Sequence, residues 1–131
     1  MAYEIANNAV KITLPAGADL SSSQYLFVKV NSSGQAVLCS AATDKPIGVL
    51  QNDPASGEEA SIVVVGGTKL VTNAACDEGT VVGTASSGKG APYAAGTDTT
   101  KFIVGSVILA SGADGEIATV IVNCASAARG A

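Results

Sequence analysis

The sequence predicts an all-β fold: a small β-sandwich or barrel built from two related β-hairpin units, with an extended N-terminal arm. Three observations predict it. Turn signals recur about every 8 to 12 residues, and no window carries an apolar stripe at the 3.6-residue period of a helix. The hydrophobic residues, 47% of the 131, are mainly Ala and Val, and β-branched side chains suit a half-buried pleated surface. A pattern also occurs twice. Ile47-Gly48-Val49-Leu50, followed by Glu59-Ala60-Ser61-Ile62-Val63-Val64-Val65, is matched 57 positions on by Val104-Gly105-Ser106-Val107, followed by Glu116-Ile117-Ala118-Thr119-Val120-Ile121-Val122. This register sets Glu59 on Glu116, Val63 on Val120 and Val65 on Val122. Upstream, Ser32-Ser33-Gly34 and Thr43-Asp44 are echoed by Ser86-Ser87-Gly88 and Thr97-Asp98, offset by 54. A register held over several matches reads as internal duplication.

Residues 1–9 form the arm, 10–124 a single β domain duplicated as about 10–66 and 67–124, and 125–131 a tail. Val10 to Leu14 is the first strand, stopped by Pro15 and the turn Ala16-Gly17-Ala18-Asp19. In Tyr25 to Val30, alternation puts Leu26, Val28 and Val30 in the core and Tyr25, Phe27 and Lys29 on a mixed face. The loop Asn31-Ser32-Ser33-Gly34 leads to a short strand, Ala36 to Cys39. Pro46 to Leu50 and Ser61 to Val65 are the first repeated pair; Gly66-Gly67 breaks the run and Lys69 to Thr72 resumes it. Asp77-Glu78-Gly79 turns into the strand Thr80 to Thr84, and Ser86 to Gly90 is a flexible loop, with Gly90-Ala91-Pro92 suited to display. Lys101 to Ala110 and Glu116 to Cys124 are the longest strands, joined through a turn containing Asp114-Gly115. The tail Ala125 to Ala131 is one helical turn or loose chain. Ile62-Val63-Val64-Val65 and Phe102-Ile103-Val104 are apolar on both faces, which fits a neighbouring subunit or the interior of a closed barrel.

Only 14% of residues are charged, against about 25% in an ordinary soluble domain. Polar uncharged residues or other subunits must therefore cover part of the surface. A net charge of -4 and a pI near 4.5 disfavour direct binding to nucleic acid or an anionic membrane. The chain has no uninterrupted apolar run long enough for a helical membrane span. Met1 to Leu20 lacks a basic start followed by an apolar block, so synthesis in the cytoplasm is expected. Asn31-Ser32-Ser33 matches a glycosylation acceptor, which carries no weight without a secretory route.

No catalytic, cofactor-binding or metal-binding residue is assigned. There is no His, and Cys39, Cys76 and Cys124 form no C-x-x-C pair, so zinc ligation and His-activated nucleophiles have no support. The three thiols read as reduced, with Cys39 and Cys124 as small apolar strand residues. Cys76 lies beside Asp77 and Glu78, which raise rather than lower its pKa. Glu59 and Glu116 are a symmetric carboxylate pair, but without Trp and with two Phe the chain offers little platform for a sugar. Asp53, Glu58 and Glu59 lack the alternate spacing of a dedicated calcium loop. Gly66-Gly67-Thr68-Lys69 leads into a strand rather than the helix a phosphate loop needs.

The residues Lys45-Pro46-Ile47-Gly48-Val49-Leu50 … Ser56-Gly57-Glu58-Glu59 … Ile62-Val63-Val64-Val65, answered by Val104-Gly105-Ser106-Val107 … Asp114-Gly115-Glu116 … Val120-Ile121-Val122, resemble the capsid decoration, or cement, proteins of tailed bacteriophages. That family pairs a G-V-A-L … A-G-E … V-x-V hairpin with a later G … A … D-G-E … V-x-V hairpin. The likeness spans roughly residues 10 to 123; the bulky Asn52-Asp53-Pro54 turn and the three cysteines depart from the usual pattern. It implies a non-enzymatic virion protein on the capsid exterior that bridges major capsid protein subunits, with a homotrimer expected and a dimer as the alternative. The competing expectation is a host-surface or carbohydrate-binding β module of a phage fibre or spike; a small β-barrel enzyme is a third.

Two segments suit capsid docking: the arm, through Tyr3, Ile5, Asn7 and Asn8, and the polar turn, through Asn52, Asp53 and Glu58. Plain terminal disorder is the other reading of the arm. Self-association is assigned to Tyr25, Phe27, Tyr93 and Phe102, with core packing as the rival for each.

Overall fold

The computed structural model describes residues 8–129. Tyr3, Ile5 and Asn7 therefore lie outside the described residues. The fold is all-β: among the described residues there are eleven strands and one short 3-10 turn, Cys124–Ser126. The strands are β1 (Val10–Pro15), β2 (Phe27–Val30), β3 (Ala36–Leu38), β4 (Gly48–Leu50), β5 (Glu59–Val71), β6 (Val81–Thr84), β7 (Gly90–Pro92), β8 (Phe102–Ile103), β9 (Gly105–Leu109), β10 (Ile117–Asn123) and β11 (Ala128–Arg129). Nine of them form one sheet in the order β3-β2-β4-β5-β10-β9-β6-β7, with β1 also paired to β5; β8 and β11 make a separate two-stranded ribbon. All the strand pairings are antiparallel.

The pairings of the two halves correspond residue by residue. Val28 pairs with Leu38 and Gly48 in the first half, and Val82 pairs with Pro92 and Gly105 in the second. Leu50 opposite Ile62 has its counterpart in Val107 opposite Val120. Leu14 opposite Ala60 has its counterpart in Leu70 opposite Ala118. The turns match as well: Gly57 N–H donates to Ala16 O and Ala16 N–H to Glu58 O, just as Gly115 N–H donates to Thr72 O and Thr72 N–H to Glu116 O. The counterpart of Glu116 is therefore Glu58, and that of Val122 is Val64, one residue away from the sequence match. The cause is a bulge in β9, where Val107 pairs with Val120 but Leu109 with Thr119, so Ile108 is the extra residue.

One strand serves both halves. The first part of β5 pairs with β1 and β4, and the second part, from Val65 to Val71, pairs with β10. Gly66-Gly67 does not break it, contrary to the reading of the sequence. Gly66 pairs with Val122 and takes φ 129°, a conformation open to glycine that bends the chain without leaving the ladder. The sheet consequently curls onto itself. Phe27, Val49 and Val63 of the first half share a core cluster with Leu70, Val82, Val107, Val120 and Val122 of the second. The opposite face of the first half, Val28, Leu50, Ala60 and Ile62, is closed by Ala16 and Leu20 of the β1–β2 loop. Buried hydroxyls are paired: Thr72 Oγ1 and Ser111 Oγ lie 2.7 Å apart.

Other local expectations change. Lys101 to Ala110 is split, because Phe102 and Ile103 pair with Arg129 and Ala128 of β11, whereas Val104 N–H donates to Val82 O and the chain rejoins the main sheet at Gly105. The tail opens with the helical turn Cys124–Ser126, one of its two expected readings, and Ala128–Arg129 then pair with β8 as β11. Gly90-Ala91-Pro92 is an edge strand rather than a display loop, and Ala91 is buried.

Candidate functional site

With no catalytic constellation expected, the site is a question of surfaces. Of the proposed self-association residues, Phe27 is corrected: it is 0% exposed. Tyr25 just before β2 adopts φ 64°, and both faces of β2 are covered there. Phe27 points into the core shared by the halves and Val28 into the smaller one, while Val30 is exposed. Strict alternation of one wet and one dry face fails because the curled sheet gives this strand two dry faces. Tyr25 is half-buried, and Lys69 Nζ sits 5.7 Å from its ring centroid. Tyr93, also half-buried, donates its N–H to Val81 O. Phe102 is half-buried in β8 and packs against the main core. Tyr93 and Phe102 thus border the second half, and Tyr25 lies elsewhere.

In the expected docking turn, Asn52 works internally. Its Nδ2 donates to Glu59 O at 2.9 Å and its Oδ1 accepts from Ser61 N–H at 3.0 Å, fixing the base of the β4–β5 turn. Pro54 is buried and its carbonyl accepts from Leu20 N–H. Asp53 and Glu58 remain exposed, and Glu58 Oε1 accepts from Ala55 N–H at 2.7 Å. With Gly57 and Glu59 these residues border a shallow polar hollow. Asn8, the last of the expected arm contacts and the first described residue, is exposed.

A second surface escapes the sequence reading. Val81, Ile103, Ser106, Ile108 and Ile121 line an open groove on the outer face of the second half. Val81 is opposite Ser106, and Ser106 is opposite Ile121. Ile121 is 53% exposed. The signal in the sequence is partial: its offsets set Val81 against Phe27 and Ser106 against Val49, but Ile121 meets Val63 only in the ladder register.

The titratable groups describe scaffolding. Burial pushes the Cys39 and Cys124 thiols up to about 12. Burial raises Cys76 as well, with Asp77 adding to it. Thiols held protonated are poor nucleophiles. Among the described residues no three His, Cys, Asp or Glu side chains are grouped to hold a metal ion, and no helix is long and apolar enough to cross a membrane.

The arrangement defines a small antiparallel β body with repeated halves and two candidate contact surfaces, a polar turn and an apolar groove. Among solved structures it is similar to the crystal structure of the head fiber gp8.5 N base in bacteriophage phi29, with a TM-score of 0.63 and 14% identity, over 88% of this chain and 94% of that one. At that identity the likeness is one of fold. No family model matches the chain, and no curated protein does.

Proposed function

We propose that this chain is a non-enzymatic structural protein of a phage virion that docks on the outer surface of the assembled head. The observation that carries the reading is the end-to-end likeness in fold to a head fibre base; the hairpin resemblance to capsid decoration proteins supports it independently. A rigid β body with a core shared by its two halves supplies fixed geometry, and the exposed acids Asp53 and Glu58 of the β4–β5 turn, with Asn8 and the arm that precedes it, supply the contacts to the major capsid protein. Several weak contacts on neighbouring subunits add through effective concentration rather than through one strong bond. On this reading the protein is made in the host cytoplasm and carried on the capsid exterior.

The decoration reading assigns it to bridging and stabilising capsid subunits. The likeness to a head fibre base favours a second, in which it anchors a projecting element. The test uses heads purified from a phage lacking this chain, incubated with the purified protein and sedimented. Saturable binding is expected, and absence of binding overturns both readings. If bound protein raises the temperature at which the heads release DNA, the cement role holds; binding with no such rise favours the anchor.

A further inference from the structure

The repeat makes the outer groove interpretable, because the first half shows how the same row of positions is treated elsewhere. Phe27, Val49 and Val63 lie side by side across β2, β4 and β5 and are at most 1% exposed. They are covered by the sheet of the second half, through Val82, Val107 and Val120. Their counterparts Val81, Ser106 and Ile121 lie side by side across β6, β9 and β10. In the single chain this row faces outward, with Val81 37% and Ile121 53% exposed. The bulge in β9 places Ile108 in the same groove, next to Ile103 of the ribbon.

We infer that this outer row is a self-association surface, covered in solution by a second copy of this chain. The internal interface supplies the precedent: the chain already buries the equivalent row of its first half beneath a sheet of its own sequence. Charge points the same way. No charged residue lines the groove, so two copies can meet there without burying an unpaired charge. An apolar, uncharged patch suits contact between copies of one chain. The surface differs from the aromatic set expected from the sequence, although Tyr93 adjoins it through Val81 and Phe102 through Ile103. The inference deepens the virion reading by naming the face, but does not depend on it.

The experiment is light scattering coupled to size exclusion over a range of concentrations, on the full chain without capsids. The variants are Ile121→Lys and Val81→Lys, with Val30→Lys as a control because Val30 is comparably exposed, at 44%, on the first half. The wild-type protein is expected at a multiple of 12.8 kDa. Both groove variants should fall to monomer mass where the wild type is associated, their association at least about tenfold weaker, equivalent to about 1.4 kcal/mol. Val30→Lys should remain associated. A wild-type monomer at every concentration, a multimer indifferent to both groove lysines, or equal dissociation by Val30→Lys overturns the inference. Should a lysine variant not fold, hydrogen exchange on the wild type at low and high concentration decides. Protection gained on β6, β9 and β10 supports the face, and protection gained elsewhere or nowhere overturns it. Loss of capsid binding alone leaves this interface standing, and loss of self-association alone leaves docking standing.

Discussion

Phe27 and Val81 hold equivalent places in the two halves, each directly beside its counterpart strand, at Val49 and Ser106 respectively. Phe27 is completely buried while Val81 is 37% exposed. Equivalent backbone positions have taken on opposite relations to water because one half covers the other and nothing among the described residues covers the second in return. Phe27→Ala should therefore cost about 3 to 5 kcal/mol of stability. Val81→Ala should change the stability of the monomer by about 0.5 kcal/mol or less. Urea unfolding of both variants checks the contrast, and equal losses would contradict the burial difference.

Gly48 and Gly105 open β4 and β9 at equivalent positions. A Cβ on Gly48 would run into the carbonyl oxygen of Val63, and one on Gly105 into that of Ile121, which are themselves counterparts. Both glycines are required by backbone approach. Gly48→Ala and Gly105→Ala should each destabilise by about 1 to 3 kcal/mol, read as a lowered urea midpoint. A neutral result at both would mean that the strands separate at little cost.

Asp44 gives a limb of acid sensitivity. Burial alone would raise its pKa, but Lys29 Nζ at 2.9 Å and the N–H groups of Ser40 and Ala41 hold the carboxyl below its ordinary value. The unfolded carboxyl takes up its proton at higher pH than the folded one. The stabilisation is thus present above about pH 4 and lost as the pH falls through the lower folded value. Asp44→Asn should cost about 1 kcal/mol or less at pH 7, given partial exposure of both partners, and its deficit should shrink below about pH 4. Chemical denaturation of both proteins at pH 7 and pH 3 measures it.

The buried thiols act in the opposite direction. With Cys39 and Cys124 raised to about 12 in the fold, the unfolded chain loses these protons first as the pH rises. Their contribution is intact below about pH 8.5 and declines above it, by about 1.4 kcal/mol per pH unit for each thiol. A Cys39→Ala, Cys124→Ala double variant should show a shallower alkaline decline. In the native wild type at pH 8, the buried thiols should react with iodoacetamide only as the chain unfolds.

The strand content, the hairpins and the paired glycines at 48 and 105 were legible because they rest on local signals: alternation, turn residues and repetition. The pairing register of the repeat was misjudged by one residue in its second strand, since Ile108 can be recognised as an insertion only from the ladder it interrupts. The facing of Phe27 was misread because period-two alternation assumes one wet face, and the curl of the sheet dries both. Gly66-Gly67 resembles a break in any local reading; only pairing with Val122 and Ile121 keeps it in the strand. The outer groove was missed for a related reason. Its residues come from four separate strands, and their meaning depends on which equivalent residues are covered.

The sharing of β5 has a consequence for how the molecule comes apart. Its first part completes the sheet of one half, and its second part, the counterpart of β1, begins the sheet of the other, so the two halves are joined through the backbone of a strand rather than through a loop. Severing the chain near Gly66 would leave each fragment with its strands but with its share of the common core bared to water, Phe27, Val49 and Val63 on one side and Leu70, Val82, Val107 and Val120 on the other. The protein has no internal seam along which to yield in stages, and mechanical or thermal load should undo it in a single step.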